Sequence, residues 1–522
     1  MNGRSPVFLA ALLSPLLAPA AAAQKRGIGA WHNDKKHGFA VRVIESIATA
    51  IPLQPNEEYE IAKFSGPRLS IGKENAEFTA DFRILRIEPK GPATGSMGPG
   101  SGKEGEPESR PDPEKAKREY LESRKARTFE QWLKEQSGFM NATVADDKKK
   151  DFALPSKLPA TEYEFTVKTQ GKTLVCGYAA VVHMTGQEIA LVWLVPENHY
   201  DKWIQPFKTA ARTFKPIEKE AAVAEAGAGL SEREKKKREL IDRHKTLAGW
   251  TVDETEHYFI VSDADPKHLP EVKRRIEAIR GRLEKDFPPE KPIAAVSTLR
   301  VCKNGDEYHQ YGGPGGSAGY WNDQAEELVI YVVTEKPSDT WCTMQHEAFH
   351  QYIYYRCGEL APHSWYNEGT GDYYAGADFK YGKFEIDIFD WRKDPIRQAI
   401  RDGKHVPLAE ILKFTKDQYY AKEKVGICYA EGWSFIYFLR EGKKKGAKNW
   451  NPAWEKILPT YLEKLIEAKE KGESEARAKA KGEIDEGAKR EIQEQARKTA
   501  LDAAFEGIDV EALEKAWMEF TT

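Results

Sequence analysis

Two histidines four positions apart, with a glutamate directly after the first, restrict this chain more than any other feature in it. Residues 341–376 read WCTMQHEAFHQYIYYRCGELAPHSWYNEGTGDYYAG. On a helix, positions i and i+4 share a face, so His346 and His350 can present their imidazoles to one metal ion. Glu347 sits beside that face, where a carboxylate can take a proton from a metal-bound water. Glu368 follows His350 by eighteen positions, beyond a turn containing Gly and Pro, and can return from a second helix as a third ligand. Asp372 lies i+4 from Glu368, so both carboxylates face the same place. Three protein ligands with one position left open describe a catalytic zinc site rather than a structural one. The expectation is one Zn2+ on His346, His350 and Glu368.

These residues resemble the gluzincins, the thermolysin-like superfamily of zinc metallopeptidases. In that superfamily the third-ligand helix reads N-E-x-x-x-D, which Asn367-Glu368-Gly369-Thr370-Gly371-Asp372 matches. The resemblance implies that Glu347 is the general base. It implies that Asp372 fixes the tautomer of one zinc histidine, His346, and that Asn367 stands with it behind the ligands. Gluzincin aminopeptidases carry an oxyanion-stabilising Tyr in a Y-x-x-G segment. Tyr429-Ala430-Glu431-Gly432 matches it, 61 positions past Glu368. Tyr419, Tyr420, His405 and His363 lie near in sequence. A strand beside the zinc helix pairs with the substrate backbone in such enzymes, and Ala318, Gly319, Tyr320 and Trp321 are the candidates for it. The resemblance spans roughly residues 250–520 and is strongest toward exported bacterial members. No G-x-M-E-N segment, which would bind a substrate α-amine, precedes the zinc helix. An endopeptidase acting on peptide or protein substrates therefore fits better than an aminopeptidase. The rival from another class is a non-catalytic exported binding or scaffold protein that keeps a structural zinc site. Intact Glu347 argues against it, since that residue is not a ligand.

The rest of the chain supplies context. At 522 residues it is too long for one ordinary domain. Its 79 basic and 82 acidic residues nearly cancel, to a net charge of −3, which speaks against a nucleic-acid partner. Residues 1–23 read as a signal peptide: Arg4, an apolar run over 7–17, and Ala21-Ala22-Ala23 before the cut. The expected destination is the periplasm, cell surface or medium, with no transmembrane segment after signal removal. Export permits disulfides, but five cysteines leave at least one thiol over. One helix carrying Cys342 and Cys357 would hold them ~20 Å apart, beyond disulfide reach.

The fold class expected is α+β. An N-terminal antiparallel α/β domain over 24–217 carries a Gly/Pro-rich disordered insertion near 89–113 and a helix over 114–137. Period-two alternation marks strands over 78–87, 163–169 and 172–195, and a helix closes the domain over 201–213. Its end, Phe207-Lys208-Thr209-Ala210-Ala211-Arg212-Thr213-Phe214-Lys215, faintly resembles small secreted domains of the photosystem-II-extrinsic-protein type. A charged linker and helix cover 218–249. The gluzincin-like domain takes 250–522, a small sheet followed by a mostly helical zinc-binding part. It is expected to have strands over 257–263, 293–303 and 327–333 and an amphipathic helix over 269–287. Ser338 or Asp339 should cap the zinc helix and Gly358 end it. Tyr429 should start a helix, and 469–498 reads as a solvated helical arm.

Overall fold

The computed structural model describes residues 26–55, 57–72, 77–88, 125–136, 140–168, 174–220, 230–245, 247–290, 293, 296–480 and 484–522. The expected signal peptide and the Gly/Pro-rich insertion lie outside these residues. The fold is α+β, in two compact units. One comprises residues 1–252 with 306–317, the other 253–305 with 318–522.

In the first unit, β1 (Ile28–Asp34) and β2 (Phe39–Ile44) form a small sheet with β10 (Lys215–Pro216). The main sheet has seven strands: β3 (Thr49–Ile51), β4 (Glu60–Ser70), β5 (Glu77–Ile87), β6 (Met140–Ala153), β7 (Pro159–Lys168), β8 (Leu174–Met184) and β9 (Gln187–Pro196). They run antiparallel in the order β3-β4-β5-β9-β8-β7-β6. Register places Phe64, Phe82, Trp193 and Tyr178 in one row across four strands. Phe82 and Trp193 stack at 4.4 Å, and Phe207 of α1 (Tyr200–Arg212) stacks on Trp193 at 5.7 Å. Phe129, Trp132 and Leu133 cover the opposite face. Burial on both faces is why β8 and β9 read as nearly continuous apolar runs.

Two expectations need correction here. Within the described residues, the helix predicted over 114–137 is helical only from Phe129 to Gln136. The strand β6 was not foreseen, because MNATVADDKKKDFA carries almost no alternating apolar pattern. It is an edge strand with shifted register, and its lysines and aspartates are the residues that discourage edge-to-edge pairing. The charged segment forms α2 (Glu232–His244), opened by a capping box between Ser231 and Glu234.

The second unit opens on a five-stranded sheet of β11 (Thr251–Glu254), β12 (Tyr258–Ser262), β13 (Ser297–Cys302), β14 (Gly319–Asn322) and β15 (Glu327–Tyr331). Its order is β11-β12-β13-β15-β14; β12, β13 and β15 are parallel, and β14 is an antiparallel edge. The amphipathic α3 (Leu269–Asp286) buries Val272, Ile276, Ile279 and Leu283 completely. The zinc-motif helix α4 (Pro337–Arg356) and α5 (Ser364–Ala375) follow. A hairpin of β16 (Asp378–Lys380) and β17 (Lys383–Glu385) leads to α6 (Asp390–Arg401) and α7 (Val425–Glu441). Helices α8 (Ile457–Ala480), α9 (Glu486–Ala504) and α10 (Val510–Thr521) complete the unit.

Helix α4 has no side-chain cap. Pro337 opens it at N1, where its missing N–H costs nothing, so Ser338 and Asp339 are inside the first turn. Gly358, at φ +65°, ends it in the left-handed conformation that glycine adopts most cheaply. Helix α7 begins one turn before Tyr429, not at it, and is buried on nearly every side. The expected solvated arm over 469–498 is helical and mostly exposed among its described residues; it comprises the end of α8 and most of α9, which pack on each other. Among the described residues no helix is long and apolar enough to cross a membrane.

Candidate metal centre

Helix α4 is the buried axle of the second unit. Met344, Ala348, Phe349, Tyr352 and Ile353 pack into the core, which leaves the stripe through His346 and His350 facing α5. Gln345 pins the two helices together, donating to the carbonyls of Tyr374 at 2.8 Å and Ala377 at 3.0 Å. Tyr374 belongs to the C-terminal turn of α5, whose last carbonyls lack helical partners, and Ala377 follows just past its end.

The three expected ligand atoms converge. His350 Nε2 lies 2.9 Å from His346 Nε2, and Glu368 Oε2 lies 3.2 Å and 3.4 Å from them. Ligands of a tetrahedral zinc with bonds of ~2.0–2.1 Å stand about 3.3 Å apart, so the set is spaced as one face of such a polyhedron. Behind His346, Asp372 Oδ1 sits 3.0 Å from Nδ1, so the ring's other nitrogen, Nε2, is the one that could ligate a metal ion. Asn367 makes no hydrogen bond to the ligand set among the described residues; its Oδ1 is buried and unpartnered.

Charge tests whether a cation belongs there. Glu347, Glu368 and Asp372 are all buried, and Arg392 is the guanidinium that reaches them, donating from Nε to Asp372 Oδ2 at 2.6 Å. Three buried carboxylates face one half-buried guanidinium, a balance that favours positive charge on His346. Burial opposes charge on His346, yet hydrogen bonds to Asp372 and Glu368 outweigh it and raise its pKa well above the usual value. Burial likewise works against the Glu368 carboxylate, but the two imidazoles hold its pKa well below the ordinary range. A divalent cation would supply the missing positive charge, so the donor set fits zinc.

Glu347 is not part of the triangle. Its carboxylate lies within 4.8 Å of the histidine ligand atoms and accepts a hydrogen bond from the Trp321 backbone N–H of β14. Burial pushes its pKa up. The four candidate strand residues, Ala318, Gly319, Tyr320 and Trp321, thus fall on or beside an edge strand against α4. A Cβ on Gly319 would stand 2.5 Å from Thr343 Cγ2, one turn before Glu347.

The tyrosines form a second layer. Tyr420 donates to Glu368 Oε1 at 2.5 Å, holding the third ligand from behind. The ring of Tyr429 lies 6.3 Å from that of His346 and 6.2 Å from that of Tyr420. Burial, then the nearby Glu368 carboxylate, raises the Tyr429 pKa well above normal, so it is a neutral donor. Tyr419 instead donates to the Cys428 carbonyl, and His363 pairs with Tyr461. Sequence reasoning named Tyr420 only as a neighbour and missed Arg392 altogether.

No family model matches this chain, and no curated protein does. Some solved structures align at low similarity. The cyanobacterial PsbP (CyanoP) of Synechocystis sp. PCC 6803 is 12% identical over 39% of this chain and 100% of its own, with a TM-score of 0.23. A protein of unknown function from Pseudomonas aeruginosa, described as a putative regulator, is 11% identical over 36% of this chain and 96% of its own, at 0.19. A protein from Bacteroides thetaiotaomicron VPI-5482 is 8% identical over 63% of this chain and 78% of its own, at 0.20. Likeness of this size carries no argument about fold or activity.

Proposed function

We propose that this chain is an exported zinc-dependent peptide hydrolase of the gluzincin type, and an endopeptidase rather than an aminopeptidase. The observation that carries the reading is Glu347. Its buried carboxylate lies within 4.8 Å of the His346 and His350 ring nitrogens, beside the triangle they make with Glu368 Oε2; a hydrolytic site needs such a group as general base. Zinc bound to His346, His350 and Glu368 would supply Lewis acidity toward a water and a substrate carbonyl.

The remaining work belongs to the chain. Glu347 accepts the water's proton and returns it to the leaving amine. Tyr429, neutral and half-buried, donates toward the developing oxyanion. Tyr420 and Asp372 keep Glu368 and His346 in place. The position of β14 at the edge of its sheet is where an extended peptide would add as a further strand. The lack of a G-x-M-E-N segment leaves nothing to select a free α-amine, hence the endopeptidase assignment.

The test is zinc content and cleavage of a peptide library by mature wild type and Glu347→Gln, side by side. Both should bind about one zinc, and only the wild type should cleave, with a loss in the variant of at least ~10²-fold, the usual scale for a general base. Zinc in both and cleavage by neither would favour the scaffold reading. Absence of zinc from both would remove the premise.

A further inference from the structure

The groups around the ligands lead outward to one side chain that no motif contains. Arg392 lies in the first turn of α6, after Phe389. Its Nε donates to Asp372 Oδ2 at 2.6 Å, and its Nη2 approaches Asp372 Oδ1 at 3.4 Å. The same Oδ1 stands 3.0 Å from His346 Nδ1. The guanidinium carbon lies 4.8 Å from the centre of the Tyr429 ring and 5.9 Å from that of Phe389. One planar group therefore holds the carboxylate that orients a metal ligand and lies over the aromatic ring proposed to stabilise the oxyanion.

We propose that Arg392 is a positioning residue, setting the orientation of His346 through Asp372 and the placement of Tyr429 through its ring face. The inference rests on the metallopeptidase reading given above. Two features make arginine the suitable residue. Asp372 is almost wholly buried, with 3% of its side chain exposed, and an uncompensated carboxylate there would be free to turn toward any other donor. The guanidinium fork fixes both oxygens in one plane, which an ammonium group cannot do. Its flat face also stacks on an aromatic ring while its edge is engaged in hydrogen bonds. Helix α6 thereby contributes to the site without supplying a ligand.

The experiment uses the full mature protein and cobalt(II) as the probe metal, whose visible spectrum reports ligand geometry, with zinc affinity measured by chelator competition. Three variants are compared with wild type. Arg392→Met removes both donors. Arg392→Gln keeps an N–H donor at the position of Nε but loses the second donor and the charge. Arg397→Gln, which breaks only the bond from Arg397 Nε to the Thr521 carbonyl, controls for looser docking of α6. Arg392→Met should bind zinc about ten-fold more weakly, as loss of an outer partner typically does, and shift the cobalt spectrum. Arg392→Gln should fall between it and wild type, and Arg397→Gln should match wild type. Cleavage should fall in kcat with little change in KM. A wild-type affinity and unshifted cobalt spectrum in Arg392→Gln would overturn the proposal, whether or not Arg392→Met folds. Equal effects from Arg397→Gln would overturn it too, as they would trace the loss to α6 docking. Failure of the wild type to bind either metal would instead strike the metallopeptidase reading, so the two failures are distinguishable.

Discussion

At the scale of single residues, the site divides by distance along the chain. His346, Glu347 and His350 are legible because helix periodicity alone puts them together, and Glu368 with Asp372 because the same rule repeats on α5. Arg392 and Tyr420 come from segments with no local pattern, and nothing in their neighbours' chemistry marks them out. Gly371 was read as motif spacing, whereas its role is steric. A Cβ there would stand 2.8 Å from His346 Cε1 and 2.9 Å from Nδ1. Gly371→Ala should therefore displace the imidazole. The helix would gain about 1 kcal/mol of propensity, while overpacking costs about 1–3 kcal/mol, so a net destabilisation follows. The sharper readout is zinc affinity, which should fall by at least ~10-fold, the scale of a misoriented ligand. Unchanged affinity would mean that the ring can move aside without cost.

At the scale of elements, α5 is the keystone, packed against both α4 and α7. Its crossing with α7 is backbone on backbone: a Cβ on Gly369 would lie 2.4 Å from the Gly432 carbonyl oxygen. The glycine of the Y-x-x-G segment thus belongs to a helix crossing that brings Tyr429 beside Glu368. That contact is invisible in a sequence, as was the true start of α7, since Val425 and Gly426 are poor helix formers and Lys424 offers no cap. The entry to α5 also carries a titrating group. His363 Nδ1 faces the Tyr461 hydroxyl at 2.9 Å, and that hydroxyl also accepts from the His363 backbone N–H at 2.8 Å. The hydroxyl is thus bound to both the backbone and the ring of His363. Burial, with a smaller push from Arg497, lowers the His363 pKa to about 4, from 6.5. Below pH 6.5 the unfolded chain takes up a proton that the folded chain refuses, so stability falls from pH 6.5 toward 4, by about 3 kcal/mol in total. In His363→Asn, whose carbonyl can still accept from Tyr461, this component of acid sensitivity should vanish. Denaturant titrations at pH 7 and pH 4.5 check it: equal losses in both proteins would place the effect elsewhere.

At the scale of the whole molecule, the chain divides into two compact units. The contact boundary falls between Val252 and Asp253 rather than at residue 250, α2 groups with the first unit, and residues 306–317 join it from within the second half of the sequence. That excursion had no compositional signal. All five cysteines are free thiols, four of them buried. Burial raises the Cys357 pKa to about 12 and that of Cys176 to about 11, so neither forms a nucleophilic thiolate near neutrality. The melting temperature should accordingly be the same with and without a thiol reductant; a drop on reduction would reveal a disulfide. The spread of the site along the chain has a consequence for biosynthesis. Every proposed ligand lies between residues 346 and 368, whereas Arg392, Tyr420 and Tyr429 follow. On a ribosome, where chains emerge N-terminus first, the helix pair carrying the proposed ligands is complete before Arg392, Tyr420 and Tyr429 are made. On the proposed reading, metal loading and catalytic competence would be separate events in the life of the polypeptide, and a nascent chain would hold its metal before it could attack its neighbours.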